Sequence, residues 1–174
     1  MALSVCLTFD ARSESVLRGL WRRLEAAGVP TLLSHTHGRH IPHLTLTSLR
    51  NYDLDAVTAA LEALPEACEG PLHLDALGAF RRSRCWLAPA VSTGFAARQD
   101  AVARAVAATG AVVHRHYEPG SWLPHVTLAP RLHLDQLPVV AAAVFDVLPV
   151  SVVVERCELV DTGTGERRPL SHLV

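Results

Sequence analysis

Two short strings in this chain, Pro42-His43-Leu44-Thr45-Leu46 and Pro124-His125-Val126-Thr127-Leu128, carry the same residue types at a spacing of 82 positions (125 minus 43). In an extended strand, side chains alternate between faces. Each string therefore sets a histidine and a threonine on one side and two aliphatic residues on the other. A chain with two such strands has to bury the aliphatic side twice and leave the polar side open. A similar run precedes each string: Leu33-Ser34-His35-Thr36-His37 before the first and Val112-Val113-His114-Arg115-His116 before the second. Both halves read as a helix, a strand with H-x-H, a glycine-containing turn, and a strand with P-H-aliphatic-T-L. Duplication, giving two pseudo-equivalent lobes, accounts for this pattern.

Hydrophobic periodicity fills in the rest. Leu3 to Phe9 reads as a strand, and Ser13 to Ala27 as a helix closed by Gly28 and Pro30. Thr31 to His35 and His43 to Leu49 are expected strands, and Asp53 is placed to cap a helix running to about Ala63. Leu72 to Phe80 and Arg84 to Ala88 form an expected hairpin around Arg81-Arg82-Ser83. In the second half, Ser92 or Thr93 opens a helix through Ala108 that Gly110 ends. Val112 to Tyr117 and Leu123 to Ala129 are strands, and Asp135 caps a helix to about Val147. Ser151 to Val160 forms a long strand, and Asp161 to Gly165 turns into a short last one. Helices interspersed with hairpin-like strand pairs predict an α+β fold: a bilobal pseudo-twofold duplication, two mostly antiparallel sheets with outer helices around a central cleft. Residues 1–174 are expected to form one such domain, which is long enough to bury a core.

Composition removes several kinds of chemistry. A formal net charge of −1 argues against coating nucleic acid by bulk electrostatics, while leaving room for a local patch. All 16 basic residues are arginine, a bias that a GC-rich genome explains. With no lysine, neither a Schiff base, a lysyl adenylate nor a Walker A phosphate lysine can form. Cys6, Cys68, Cys85 and Cys157 are scattered without a C-x-x-C pair, so buried free thiols in a reducing compartment are expected. The N-terminus lacks the basic start of a signal peptide, and the apolar run from Val139 to Val154 is broken by Asp146 and Pro149. A cytoplasmic protein without membrane contact, acting as a monomer, is the expectation.

The candidate catalytic residues are His43, Thr45, His125 and Thr127. Such a set suits in-line displacement at phosphorus. One imidazole takes a proton from water or a ribose hydroxyl, and the other protonates the departing oxygen. Imidazole serves both roles because its ordinary pKa, about 6.5, lies near working pH. The threonine hydroxyls donate to the non-bridging oxygens as charge builds. No metal or other cofactor is required, and clustered carboxylates of the two-metal kind are missing from the sequence.

These motifs resemble those of the 2H phosphoesterase superfamily, which includes the bacterial 2′-5′ RNA ligase-like proteins. The order of helices and strands extends the resemblance over nearly the whole chain. It implies both motif strands flanking a cleft. It further implies a metal-independent phosphodiesterase that opens 2′,3′-cyclic phosphates, or cleaves 2′-5′ linkages, of RNA ends or small nucleotides. The RNA ligase-like branch commonly has an Arg-Trp pair before the first motif and an aromatic residue two positions after its leucine. Here the motif continues Thr47-Ser48-Leu49. That departure leaves RNA ligation unsupported and makes the compact branch the nearer likeness.

Two other readings are carried forward. His35, His37, His40 and His43, echoed by His114, His116 and His125, could chelate zinc and support a metal-dependent hydrolase. Alternatively, the chain is a nucleotide or RNA-end binding module without turnover. Tyr117 and Trp122 are candidates for stacking on a base, and Arg39 and Arg131 for contacting phosphate. Arg81, Arg82 and Arg84 read as a solvated turn, and Trp86 as core.

Overall fold

A computed structural model describes residues 2–67, 70–81 and 84–174. Cys68 and two members of the expected 81–83 turn, Arg82 and Ser83, lie outside the described residues. In chain order the elements are β1 (Leu3–Phe9), α1 (Ala11–Ala26), β2 (His43–Arg50), α2 (Leu54–Glu62), β3 (Leu72–Phe80), β4 (Arg84–Ala90), α3 (Thr93–Ala108), β5 (Val112–Val113), β6 (Val126–Ala129), α4 (Leu137–Val144), β7 (Val150–Val152), β8 (Val154–Asp161) and β9 (Arg167–Pro169).

The duplication is close to gapless. Shifted by the motif spacing, α1 falls on α3 at both ends and the cap Asp10 falls on the cap Ser92, while the flanking strands correspond by register, Leu7 facing Leu44 as Leu87 faces Val126. Both caps do the same work: each side chain accepts the backbone N–H three residues on, from Ser13 and Phe95 respectively. Gly28 and Gly110 follow the two helices at φ 79° and 85°, and Gly38 and Gly120 precede the two motifs at φ 67° and 78°. All four hold a left-handed backbone that a side chain would strain.

Every strand pairing is antiparallel, in the order β7-β3-β4-β6-β2-β1-β8-β9, with β5 on β2. The α+β antiparallel architecture is thus as expected, with one refinement: the two sheets are continuous, joined where β2 meets β6. The sheet is strongly curled. The last strand of each repeat has also changed sides. β3 lies beside β4 of the second repeat, and β8 beside β1 of the first. Helices cross over in the same way. From α1, Trp21 donates to the main-chain oxygen of Thr127 (3.1 Å), and from α3, Gln99 donates to that of Leu46 (3.1 Å). Each repeat therefore packs its helix beneath the other's motif strand.

That packing explains the aliphatic half of the motifs. Leu44, Leu46, Val126 and Leu128 are all essentially inaccessible to solvent, and each such burial stabilises the fold by about 1.5–3 kcal/mol. On the other face His43 and His125 are half-buried.

Some expected strands are shorter or missing. Residues 31–35 are turns, because Thr31 and Ser34 fold around the Glu25 carboxylate, which accepts from both hydroxyls (2.8 Å each) and from the Thr31 N–H. Val112 to Tyr117 gives two strand residues and then a 3₁₀ turn over Arg115–Tyr117, capped by the His114 side chain. The two H-x-H runs are consequently not equivalent: the repeat places His35 on Tyr117 and His40 on Trp122. Asp135 sits within a 3₁₀ turn, and α4 starts beyond it at Leu137 with Pro138 in its first turn. The strand expected at 151–160 is divided in two at Val153.

Candidate active site

At the centre of the sheet β2 and β6 meet at one registered pair, Leu44 opposite Val126. Antiparallel register around that pair sets His43 opposite Thr127 and Thr45 opposite His125. The two histidines are then diagonal neighbours, at a backbone separation of about 7–8 Å, typical of that relation. The four candidate catalytic residues come together on one face, related by an approximate twofold through the Leu44–Val126 pair. Each threonine lies across from the other repeat's histidine.

Both imidazoles are fixed the same way. His43 Nδ1 donates to the Ile41 carbonyl (2.7 Å) and His125 Nδ1 to the Leu123 carbonyl (2.8 Å). A carbonyl only accepts, so Nδ1 carries the proton in each ring. Nε2 is then left as a base in the neutral ring and as an acid in the cation. Pro42 and Pro124 precede the histidines and hold the chain extended for this two-residue bond.

The threonines are held by aromatic residues. Thr45 is buried; its hydroxyl pairs with the Tyr117 hydroxyl and lies 3.7 Å from Cys6 Sγ, and its main-chain oxygen accepts from Trp122 Nε1 (3.0 Å). Thr127 is more open, and its main-chain oxygen accepts from Trp21.

Burial lowers both histidine pKa values from the ordinary imidazole range. For each ring, the backbone carbonyl pulls the other way without overturning the shift. His125 is further disfavoured as a cation by charge on His43 and on Arg84. Beside His43, desolvation and the neighbouring histidines push His40 down to about 4. Loss of solvent dominates throughout, so both motif rings rest neutral at pH 7.

The other expected site residues divide. Trp122 stacks on Phe95 (5.9 Å) and spends its N–H on Thr45, and Tyr117 spends its hydroxyl there too, so both support the first motif. Arg39 lines a small pocket beside His43, with His37, His40 and Arg167. Arg131 lines a separate pocket with Thr31, His35 and Gln136.

Three residues at the site were not anticipated. Phe80 stands edge-to-face with His125 (5.1 Å), and Trp86, although buried as expected, lies beside the same ring (5.9 Å). Arg84 acts electrostatically on His125, Tyr117, His35 and His114. Alternation along β4 could have found the last, since Arg84 shares a face with Trp86, the register partner of Thr127.

The zinc reading finds no donor set. His37 and His40 are in ring contact (4.1 Å), yet among the described residues no three His, Cys, Asp or Glu side chains converge to hold a metal ion. Cys6, Cys85 and Cys157 are free and buried. Among the described residues, no helix is long and apolar enough to cross a membrane.

Comparison with solved structures shows the same fold. Escherichia coli LigT complexed with 3′-AMP superposes with a TM-score of 0.64 at 16% identity, covering 97% of this chain and 94% of that one. LigT complexed with NADP+ gives 0.60 at 18% identity over the same shares. A structure described as a phosphoesterase gives 0.60 at 19%, covering 96% of this chain and 92% of the other. No curated protein matches the sequence. The sequence model of the 2′-5′ RNA ligase superfamily matches residues 14–166, a span that includes both motifs, α2, α3, α4, all but the start of α1, and the crossover. The chain belongs to the 2′-5′ RNA ligase superfamily.

Proposed function

We propose that this protein is a metal-independent phosphodiesterase that opens 2′,3′-cyclic phosphates, or cleaves 2′-5′ linkages, at RNA ends or in small nucleotides. One observation carries the reading: both histidines donate Nδ1–H to a carbonyl two residues upstream, leaving two Nε2 atoms to act on one substrate. In the ring-opening reaction, water attacks phosphorus as one neutral imidazole takes its proton. The bond from phosphorus to one ribose oxygen breaks, and that oxygen takes a proton from the opposite imidazolium. The product is a phosphomonoester, and the two rings have exchanged protonation states. Thr45 and Thr127 donate to the non-bridging oxygens, where charge builds in the transition state. The whole chain acts as one bilobal unit, in this reading a cytoplasmic monomer. The nucleotides held by LigT favour a nucleotide-like substrate.

Adenosine 2′,3′-cyclic phosphate, a cyclic-phosphate-ended RNA and a 2′-5′ dinucleotide, each assayed with and without chelator, test the proposal. Chelator-insensitive hydrolysis of at least one is expected. Binding without consumption of any would favour a nucleotide-binding module instead.

A further inference from the structure

The two repeats match at the histidines and threonines but not in the hairpin beside them. By strand register against the motif strands, Phe80, Arg84 and Trp86 have Val160, Ser4 and Cys6 at the corresponding positions of the other repeat. One side of the site is therefore aromatic and cationic, and the other side carries only small polar or apolar groups at those places.

The aromatic side is built with care. Trp86 and Gly78 are register partners on β4 and β3, and the indole lies flat over the glycine. A Cβ on Gly78 would come within 2.3 Å of the ring, so only glycine leaves room for it. Phe80 packs on the indole (5.0 Å) and against His125, and remains partly open to solvent. The Trp86 Nε1–H is buried with no acceptor in the protein. Trp21 and Trp122, by contrast, both spend theirs on motif carbonyls. A buried donor without a partner is costly, and a ligand's oxygen or ring nitrogen is one way to relieve it.

We propose that Phe80, Trp86 and Arg84 form a nucleobase subsite on the His125 side of the cleft: the base stacks on Phe80, Trp86 Nε1–H turns to an acceptor on the nucleoside, and Arg84 holds the phosphate end. The subsite rests on the function proposed above and deepens it, because it selects nucleosides over other cyclic phosphates and breaks the twofold ambiguity of substrate orientation. Arg84 is placed for its role by its position on β4, opposite Phe80 and on the same face as Trp86; its charge is felt at both His125 and Tyr117. An aromatic platform and a cation together favour any base, so discrimination among bases is expected to be weak.

The experiment compares wild type, Phe80→Leu and Phe80→Tyr on adenosine 2′,3′-cyclic phosphate and on glycerol 1,2-cyclic phosphate, with calorimetric binding of 3′-AMP in parallel. Leucine keeps apolar bulk on Trp86 but removes the stacking face. Phe80→Leu should raise KM for the nucleotide about tenfold, lose far less on the glycerol ester, and weaken 3′-AMP binding by a similar factor. Phe80→Tyr should restore both. Equal losses on the two esters would show that Phe80 serves only to pack His125, and no loss on either would remove it from the site; both overturn the subsite. If wild type hydrolyses neither ester, the proposed function fails, and the titration alone decides. Weaker 3′-AMP binding by Phe80→Leu would still support the subsite. Equal binding, or none by wild type, would overturn it.

Discussion

The first and second repeats place the same tetrad in different surroundings. Around His43 and Thr45 the neighbours are polar or hydrogen-bonded: Tyr117 and Cys6 on the threonine hydroxyl, and His37, His40 and Arg39 lining the pocket beside the histidine. Around His125 and Thr127 they are Phe80, Trp86 and a guanidinium. Duplication supplied two equivalent acid–base groups, and divergence of their neighbours gave the site a direction. Chemistry that needs one imidazole to give a proton while the other takes it is served by near-symmetry in the rings and asymmetry around them.

Removing either ring tests the symmetric half of this account. His43→Ala and His125→Ala should each lower kcat by about 10²–10⁴-fold with the fold intact. The double variant should be little worse than either single one, because the rings act as a unit. Circular dichroism alongside the assay separates chemistry from folding.

The threonines come next. Thr45→Val and Thr127→Val should each cost about 10²-fold in kcat if both donate to the same developing charge. Thr45 also anchors Tyr117, so Tyr117→Phe should weaken activity through the first motif and add little to Thr45→Val. Additive losses in that pair would separate the tyrosine from the threonine.

A smaller effect falls on the pH profile. Arg84 disfavours the cationic form of His125, so Arg84→Gln should raise that ring's pKa. One limb of the kcat/KM profile then moves to higher pH, while the limb that His43 controls stays in place. Movement of both limbs would show that the guanidinium does not distinguish the two repeats.

The least effect concerns stability. His40 rests with its pKa pushed down to about 4. A group depressed on folding contributes its stability above the unfolded value, near 6.5, and loses it as pH falls toward the folded value. Thermal melts between pH 7 and pH 4 should therefore fall more steeply for wild type than for His40→Gln.

Much of this was legible locally. The histidine–threonine alternation, the caps Asp53 and Ser92 and the span of α3 followed from residue types a few positions apart. What escaped depended on distant partners. Nothing near Thr31 announces that Glu25 will draw the segment into turns. Nothing near Leu72 or Val154 reveals that each strand will leave its own repeat, because edge pairing depends on which sheet has a free side. Trp86 read as core since its neighbours are apolar. Its place beside His125 is set by a glycine across the hairpin and by β6, both remote in sequence.

The central claim is that two imidazoles, one neutral and one protonated, share one phosphate, and the pH dependence of kcat/KM on adenosine 2′,3′-cyclic phosphate, measured in chelator, tests it most directly. The predicted result is a bell centred on the acid side of neutrality, since burial depresses both rings. A profile with a single limb, or one that vanishes with chelator, would contradict it.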